Sequence, residues 1–264
     1  MKSFHNLRFL LAGLLLALLL GGSAIGEEIV KRQIAVEKGA TLYLDNVNGT
    51  VSMEPWDEQE VWIEAVKSVD GGYDDRYKEL MERTRIEIEE RHGDVYVHTR
   101  HPRGDDGFFA NLFGRKKTVK VDYHVKIPRD LNLEVETVNG NIELTGCTGE
   151  VNLQTVNGGI DVTDVRGTTE LNTTNGGIYV AMGSLEKTGF LMAETVNGGI
   201  TVSLPKNAGF ELRASTVNGS LSSDFPLTIE GGFIGKNVRG TVNGGGPRVN
   251  LETVNGGISI RDDG

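Results

Sequence analysis

The chain has 264 residues, with 27 basic and 37 acidic side chains, a net charge of −10 and a single cysteine. That length allows one large domain or two small ones. The acidic balance argues against nucleic acid and against direct attraction to anionic lipid, and one cysteine excludes an internal disulfide.

Residues 1–26 read as a secretory signal peptide. Lys2 and Arg8 precede the apolar run from Phe9 to Leu20, and the small residues Gly21, Gly22, Ser23, Ala24 and Gly26 follow, with cleavage expected after Gly26. The apolar run is short for a membrane span, and an uncleaved anchor is the alternative. No cysteine lies in this region, which argues against a lipid-anchored lipoprotein. Without Lys2 and Arg8, residues 27–264 carry 25 basic and 37 acidic side chains, a net charge of −12. The expected location is the periplasm or the cell surface.

Residues 27–130 are expected to form strands, one short helix and a loop that cap a repeat domain. LYLDNVNGTVSM (42–53) is a first, weaker copy of the corner described below. EVWIEAV (60–66), RIEIEE, DVYVHT and VKVDYHVKI alternate as strands do, and a charged helix is expected near Asp74–Arg83. A solenoid end needs a cover, and this helix with Trp56 and Trp62 is suited to supply it. The segment HPRGDDGFFANLFGRKK (101–117) breaks the alternation and reads as a mobile loop. Its Phe108, Phe109, Leu112 and Phe113 form an apolar cluster beside Arg115, Lys116 and Lys117. Weak membrane contact, a protein partner and packing back on the strands all remain open for it. The tripeptide Arg103-Gly104-Asp105 is short enough to arise by accident.

Residues 131–264 are a repeat. Asn-Gly occurs eight times in the chain, at Asn48, Asn139, Asn157, Asn175, Asn197, Asn218, Asn243 and Asn255. Six copies share a longer frame, of which ETVNGNIEL, QTVNGGIDV and ETVNGGISI are examples. The structural corners are Asn139-Gly140, Asn157-Gly158, Asn175-Gly176, Asn197-Gly198, Asn218-Gly219 and Asn255-Gly256. Threonine stands two residues before each Asn, at Thr137, Thr155, Thr173, Thr195, Thr216 and Thr253, and apolar side chains fill most positions four and six before and three and five after. This period-two pattern marks strands with one buried face, bent at a corner where Asn-Gly supplies positive φ.

Two folds fit: an antiparallel meander with two-residue hairpins, or an all-β parallel solenoid of ~18–22-residue coils stacked ~4.8 Å apart. Spacing favours the solenoid, with intervals of 18, 18, 22 and 21 residues from Asn139 to Asn218 and the extra residues gathered around GSLEKTG and LPKNAG. The Asn243 copy is irregular; VNGGGPR reads as an insertion in the last full coil.

No catalytic signature is present: GxSxG, HExxH and CxxC are all missing, and GGFIGKN lacks phosphate-loop spacing. The chain is therefore read as non-enzymatic, with no cofactor and no metal. His92, His98, His101 and His124 read as strand or loop side chains, with His98 in phase with Tyr96 and Asp94. GGIDVTD, with Asp161 and Asp164, lacks the third glycine of a calcium β-roll. Cys147 reads as a small buried filler.

PWDEQEVWIEA (55–65), VDYHVKIP (121–128) and LNLEVETVNGNIEL with its TVNGGI copies resemble a bacterial "putative adhesin" family, domains of unknown function that are exported or membrane-linked. The resemblance covers most of residues 34–264 and implies a β-helix-like repeat fold in the cell envelope. It carries over no binding residue, and the FFANLF loop is additional to the pattern. An adhesin-like structural or binding module with an envelope component or protein as partner is the first functional expectation. An envelope-stress sensor and a polysaccharide-active β-helix enzyme are the alternatives. Ligand, oligomeric state and the choice between periplasm and surface are open at this point.

Overall fold

The computed structural model describes residues 27–69, 75–102, 119–185, 189–226, 228–229 and 237–263. Period-two alternation becomes strands that bury every second side chain. In chain order these are β1 (Glu27–Ala35), β2 (Thr41–Asp45), β3 (Val51–Trp56), β4 (Glu60–Val69), the helix α1 (Asp75–Arg83), β5 (Arg85–Arg91), β6 (Asp94–Arg100) and β7 (Val119–Pro128). The repeat follows as β8 (Asn132–Asn139), β9 (Ile142–Thr145), β10 (Val151–Asn157), β11 (Ile160–Arg166), β12 (Thr169–Asn175), β13 (Ile178–Ser184), β14 (Phe190–Asn197) and β15 (Ile200–Pro205). Last come β16 (Phe210–Thr216), β17 (Leu221–Ser223), β18 (Thr228–Ile229), β19 (Asn237–Val242), β20 (Arg248–Asn255) and β21 (Ile258–Asp263).

Each coil is a strand, an Asn-Gly corner and a second strand. Successive coils pair in parallel and in register, so Asn139, Asn157, Asn175, Asn197 and Asn255 form one column. The hairpin meander is thereby excluded, and the fold is a β-solenoid-like stack of two large sheets. One is ordered β1-β4-β7-β3-β9-β11-β13-β15-β21-β17, the other β18-β19-β16-β20-β14-β12-β10-β8-β2-β6-β5. The six threonines of the repeat are all buried, facing the same interior as Leu153, Leu171, Ile160 and Ile178. Insertions fall at the corner opposite Asn-Gly, as in 206–209 between β15 and β16.

At one end the sheets turn antiparallel: β1 pairs with β4, β4 with β7, and β5 with β6. The helix buries Met81. Trp62, expected as capping material, instead faces outward between the Lys31 and Lys126 ammonium groups, each 5.8 Å from its ring. Cys147 is fully buried and its thiol donates to the Leu131 carbonyl at 3.3 Å; burial pushes the thiol up to about 11.

Stack order departs from chain order at the other end. The last coil, β20–β21, lies between β14–β15 and β16–β17, so the final segment is an internal rung. This corrects the reading of VNGGGPR as an insertion within a coil. β19 runs antiparallel to β16, with the two-residue β18 beyond it at the sheet edge, and Asn243, Gly244 and Gly245, with φ of 46°, 84° and 85°, turn the chain back into β20. Leu251 and Leu171 are both fully buried. Leu251→Ala should therefore cost as much as Leu171→Ala, about 2–5 kcal/mol each. Denaturant unfolding checks this; a markedly smaller loss at Leu251 would mean that the final coil sits at an open end.

Candidate binding surface

The sequence-marked corners form one continuous structure. Each Asn side chain donates its amide to the Asn Oδ1 of a neighbouring coil: Asn139 to Asn48 at 2.9 Å, Asn157 to Asn139, Asn175 to Asn157, Asn197 to Asn175 and Asn255 to Asn197 at 2.8 Å, and Asn218 to Asn255 at 2.9 Å. Backbone bonds run beside this ladder, with the Gly140, Gly158, Gly176 and Gly198 amides each donating to the next coil's Asn carbonyl at 3.1 Å.

The glycines serve a different purpose from the one expected. Among the seven stacked corners only Gly49 has positive φ, at 126°. At Gly140, Gly158, Gly176, Gly198, Gly219 and Gly256 a methyl group would instead overlap the glycine carbonyl of the coil below. Five of those six carbonyls are also where threonines bond, whereas the buried Thr137 hydroxyl makes no hydrogen bond among the described residues. Thr155 donates to Gly140 O at 3.0 Å, Thr173 to Gly158 O, Thr195 to Gly176 O and Thr216 to Gly256 O at 2.9 Å, and Thr253 to Gly198 O at 2.8 Å. In the first coil Asn46 takes the threonine's place and donates to Val121 O at 2.9 Å. Gly176 and Gly177 make a matched test. Alanine at Gly176 meets the Gly158 backbone, whereas at Gly177 the nearest atom is 3.4 Å away. Gly176→Ala should lower stability by about 3 kcal/mol or more through backbone displacement, and Gly177→Ala by under about 1 kcal/mol. Thermal melts of the two variants decide it.

Corners held in register line up the outward side chains of the Asn-bearing sheet in rows. One row starts at His98 and continues through the residues three before each corner Asn, namely Asp45, Glu136, Gln154, Asn172, Glu194, Glu252 and Ser215. The next row, immediately before each Asn, holds Val138, Val156, Thr174, Val196, Val254 and Val217. Four of its valines are strongly exposed, Val217 at 61% and Val156, Val196 and Val254 at 40–42%. The two rows line an open groove of about 660 Å³. Neither row was singled out from the sequence. The signal was there, since valine fills the outward position of most TVNGG copies, where a solvated strand face would carry polar residues.

The carboxylates crowd one another. Glu194 is pushed above the usual carboxylate range by burial, then by Glu252 and Glu170; Glu136 is raised by burial, then by Asp45 and Glu134. On the opposite sheet Asp161 is raised by burial and by Glu143. Among the described residues Glu134, Glu136, Glu194 and Glu252 make no ion pair, while Asp45 contacts His98 Nδ1 at 3.0 Å. A carboxylate whose folded pKa is raised binds more protons folded than unfolded, so its repulsive cost is relieved as pH falls through that raised value. Glu194→Gln should therefore stabilise the fold at pH 7, by about 0.5 kcal/mol. It should also flatten the rise in melting temperature on acidification just above the ordinary glutamate range; an unchanged pH profile would contradict this.

Phe108, Phe109, Leu112 and Phe113 lie outside the described residues, as does Arg103-Gly104-Asp105. No group of three or more His, Cys, Asp or Glu among the described residues is placed to hold a metal ion.

A solved structure named as a "putative cell adhesion protein" from Clostridium sporogenes aligns over 90% of this chain and 100% of its own, at 15% identity and a TM-score of 0.48. A "putative adhesin" from Bacteroides fragilis aligns over 89% and 97%, at 13% identity and 0.31. One from Parabacteroides merdae aligns over 88% and 95%, at 12% and 0.27. No curated protein matches the sequence. Residues 34–261 match the family described as Toastrack DUF4097, and the chain belongs to that family.

Proposed function

We propose that this protein is an exported, non-enzymatic module of the bacterial cell envelope that works by binding. The observation carrying this reading is the valine that precedes the corner Asn in six of the seven coils, with Thr174 in the other, along roughly 30 Å of stack at the usual strand spacing. A catalytic centre brings unlike groups together on one reacting atom. A stack of near-identical rungs instead offers the same contact many times, which suits an elongated partner held by many weak interactions. Export is supported by the charged, apolar and small-residue order of residues 2–26, and the adhesion names of the similar structures agree with an envelope role.

Cell fractionation combined with capture of envelope components on the purified protein tests the reading. The expected result is a chain beginning near Glu27 in the periplasmic or surface fraction, and an envelope component retained by the wild type. Retention should weaken when Val156, Val196 and Val254 are replaced. Cytoplasmic localisation, or capture indifferent to both the groove and residues 101–117, would overturn it.

A further inference from the structure

The groove has a chemistry that selects its occupant. On one side are exposed valines; on the other, Glu136, Glu194 and Glu252 stand without ion-pair partners among the described residues, backed by Glu134 and Glu170 in the row behind. A neutral or anionic ligand would leave those carboxylates uncompensated as it covered them, which is costly. A second copy of this acidic chain would bring the same carboxylates against them, and anionic lipid and nucleic acid carry the wrong sign.

Geometry narrows the choice further. The rows run across the strands at a repeat of ~4.8 Å, so an occupant lying in the groove crosses the rungs and does not extend a sheet edge. An α-helix advances ~5.4 Å per turn, close to that repeat, whereas an extended strand repeats its side-chain direction every ~6.6 Å. A helix of five to six turns, roughly 20 residues, matches the groove's length.

From these rows we infer that the groove binds a cationic amphipathic helix, its aliphatic side chains on the valine row and its lysines or arginines along the Glu136–Glu194–Glu252 row. This deepens the binding reading above and rests on it. The low-dielectric valine row strengthens the adjacent charge contacts, and the bare carboxylates supply attraction at a distance. Proton uptake by Glu136 and Glu194, both raised by burial and then by their neighbours, would weaken the attraction as pH falls.

The test is fluorescence polarisation with a labelled 20-residue leucine–lysine amphipathic peptide, against the purified wild type and two triple variants. E136Q/E194Q/E252Q removes charge and keeps amides, which Gln154 and Asn172 already place in that row. V156T/V196T/V254T removes apolar surface and keeps β-branching, as Thr174 does in its row. Both variants should melt no earlier than about 5 °C below the wild type, consistent with surface substitutions. Binding is expected to fall at least tenfold in the first and at least fivefold in the second, and a serine–lysine peptide of equal charge should bind at least tenfold more weakly. Equal binding of the two peptides, no effect of the valine substitutions, or calcium alone occupying the wild-type groove and displacing the peptide would overturn the inference. If the peptide fails while envelope capture still depends on the groove, this inference falls and the binding function stands. If both fail and capture is also indifferent to residues 101–117, so does the binding function.

Discussion

Corner backbones of neighbouring coils approach so closely that no side chain fits between them, and the rest of the structure follows from that contact. At Gly158, Gly176, Gly198 and Gly256 the Cα faces the carbonyl of the coil below, and a threonine hydroxyl donates to that carbonyl. Glycine permits the approach, threonine satisfies the buried acceptor, and the asparagine amide bonds its own counterpart alongside. Each element depends on the others. A buried carbonyl left without its hydroxyl would cost about 1–3 kcal/mol, and an asparagine out of register would lose its ladder partner.

Pinning every coil at one corner has two consequences of different kinds. The opposite corner is released from sequence constraint, so its connections vary from the two residues 167–168 to the five residues 146–150 without disturbing the column. The outer sheet face, by contrast, loses independence. A side chain three places before one Asn must lie beside the side chain three places before the next, so carboxylates placed there by sequence become mutual neighbours whether or not the fold benefits. Burial first, and then these neighbours, raises the Glu194 and Glu136 carboxyls. A stack that tolerates such repulsion in water is poised to gain from a cation that relieves it, which links the corner chemistry to the proposed ligand.

Much of this architecture is readable from residue spacing. The Asn, Thr and aliphatic columns specify which side chains face inward, and intervals of 18, 18, 22 and 21 residues with the extra residues gathered at one place favour stacked coils over hairpins. The role of glycine was harder to read, because positive φ and close backbone approach both select glycine and leave the same mark on a sequence. Rung order is invisible for a related reason. ETVNGGITV and ETVNGGISI are nearly interchangeable, so local pattern cannot say which coil lies on which. The outward valines were overlooked because strand reading follows the buried face. At 101–117 the alternation gives no guide at all.

Rung order becomes intelligible when the copies are compared for defects and not for position. The coil at STVNGSLSS departs furthest from the pattern: Ser220 replaces a corner glycine, Ser223 replaces the inward aliphatic residue, and its second strand is only three residues long. A coil that cannot fill both of its faces belongs at an end, where only one face has a neighbour. The final segment matches the consensus closely and can serve two neighbours, so placing it inside buries Leu251, Ile258 and Ile260 on both sides. The exposed flank of the end coil is then closed by antiparallel β19 along β16 and by Phe225 packed edge-on against Phe210 at 5.3 Å. Had chain order been kept, a complete TVNGGI coil would present two unpaired strand edges, an open template for another copy of itself. Inserting the last coil beneath the defective one hides that template, and the sequence defect is the device that stops the stack from growing.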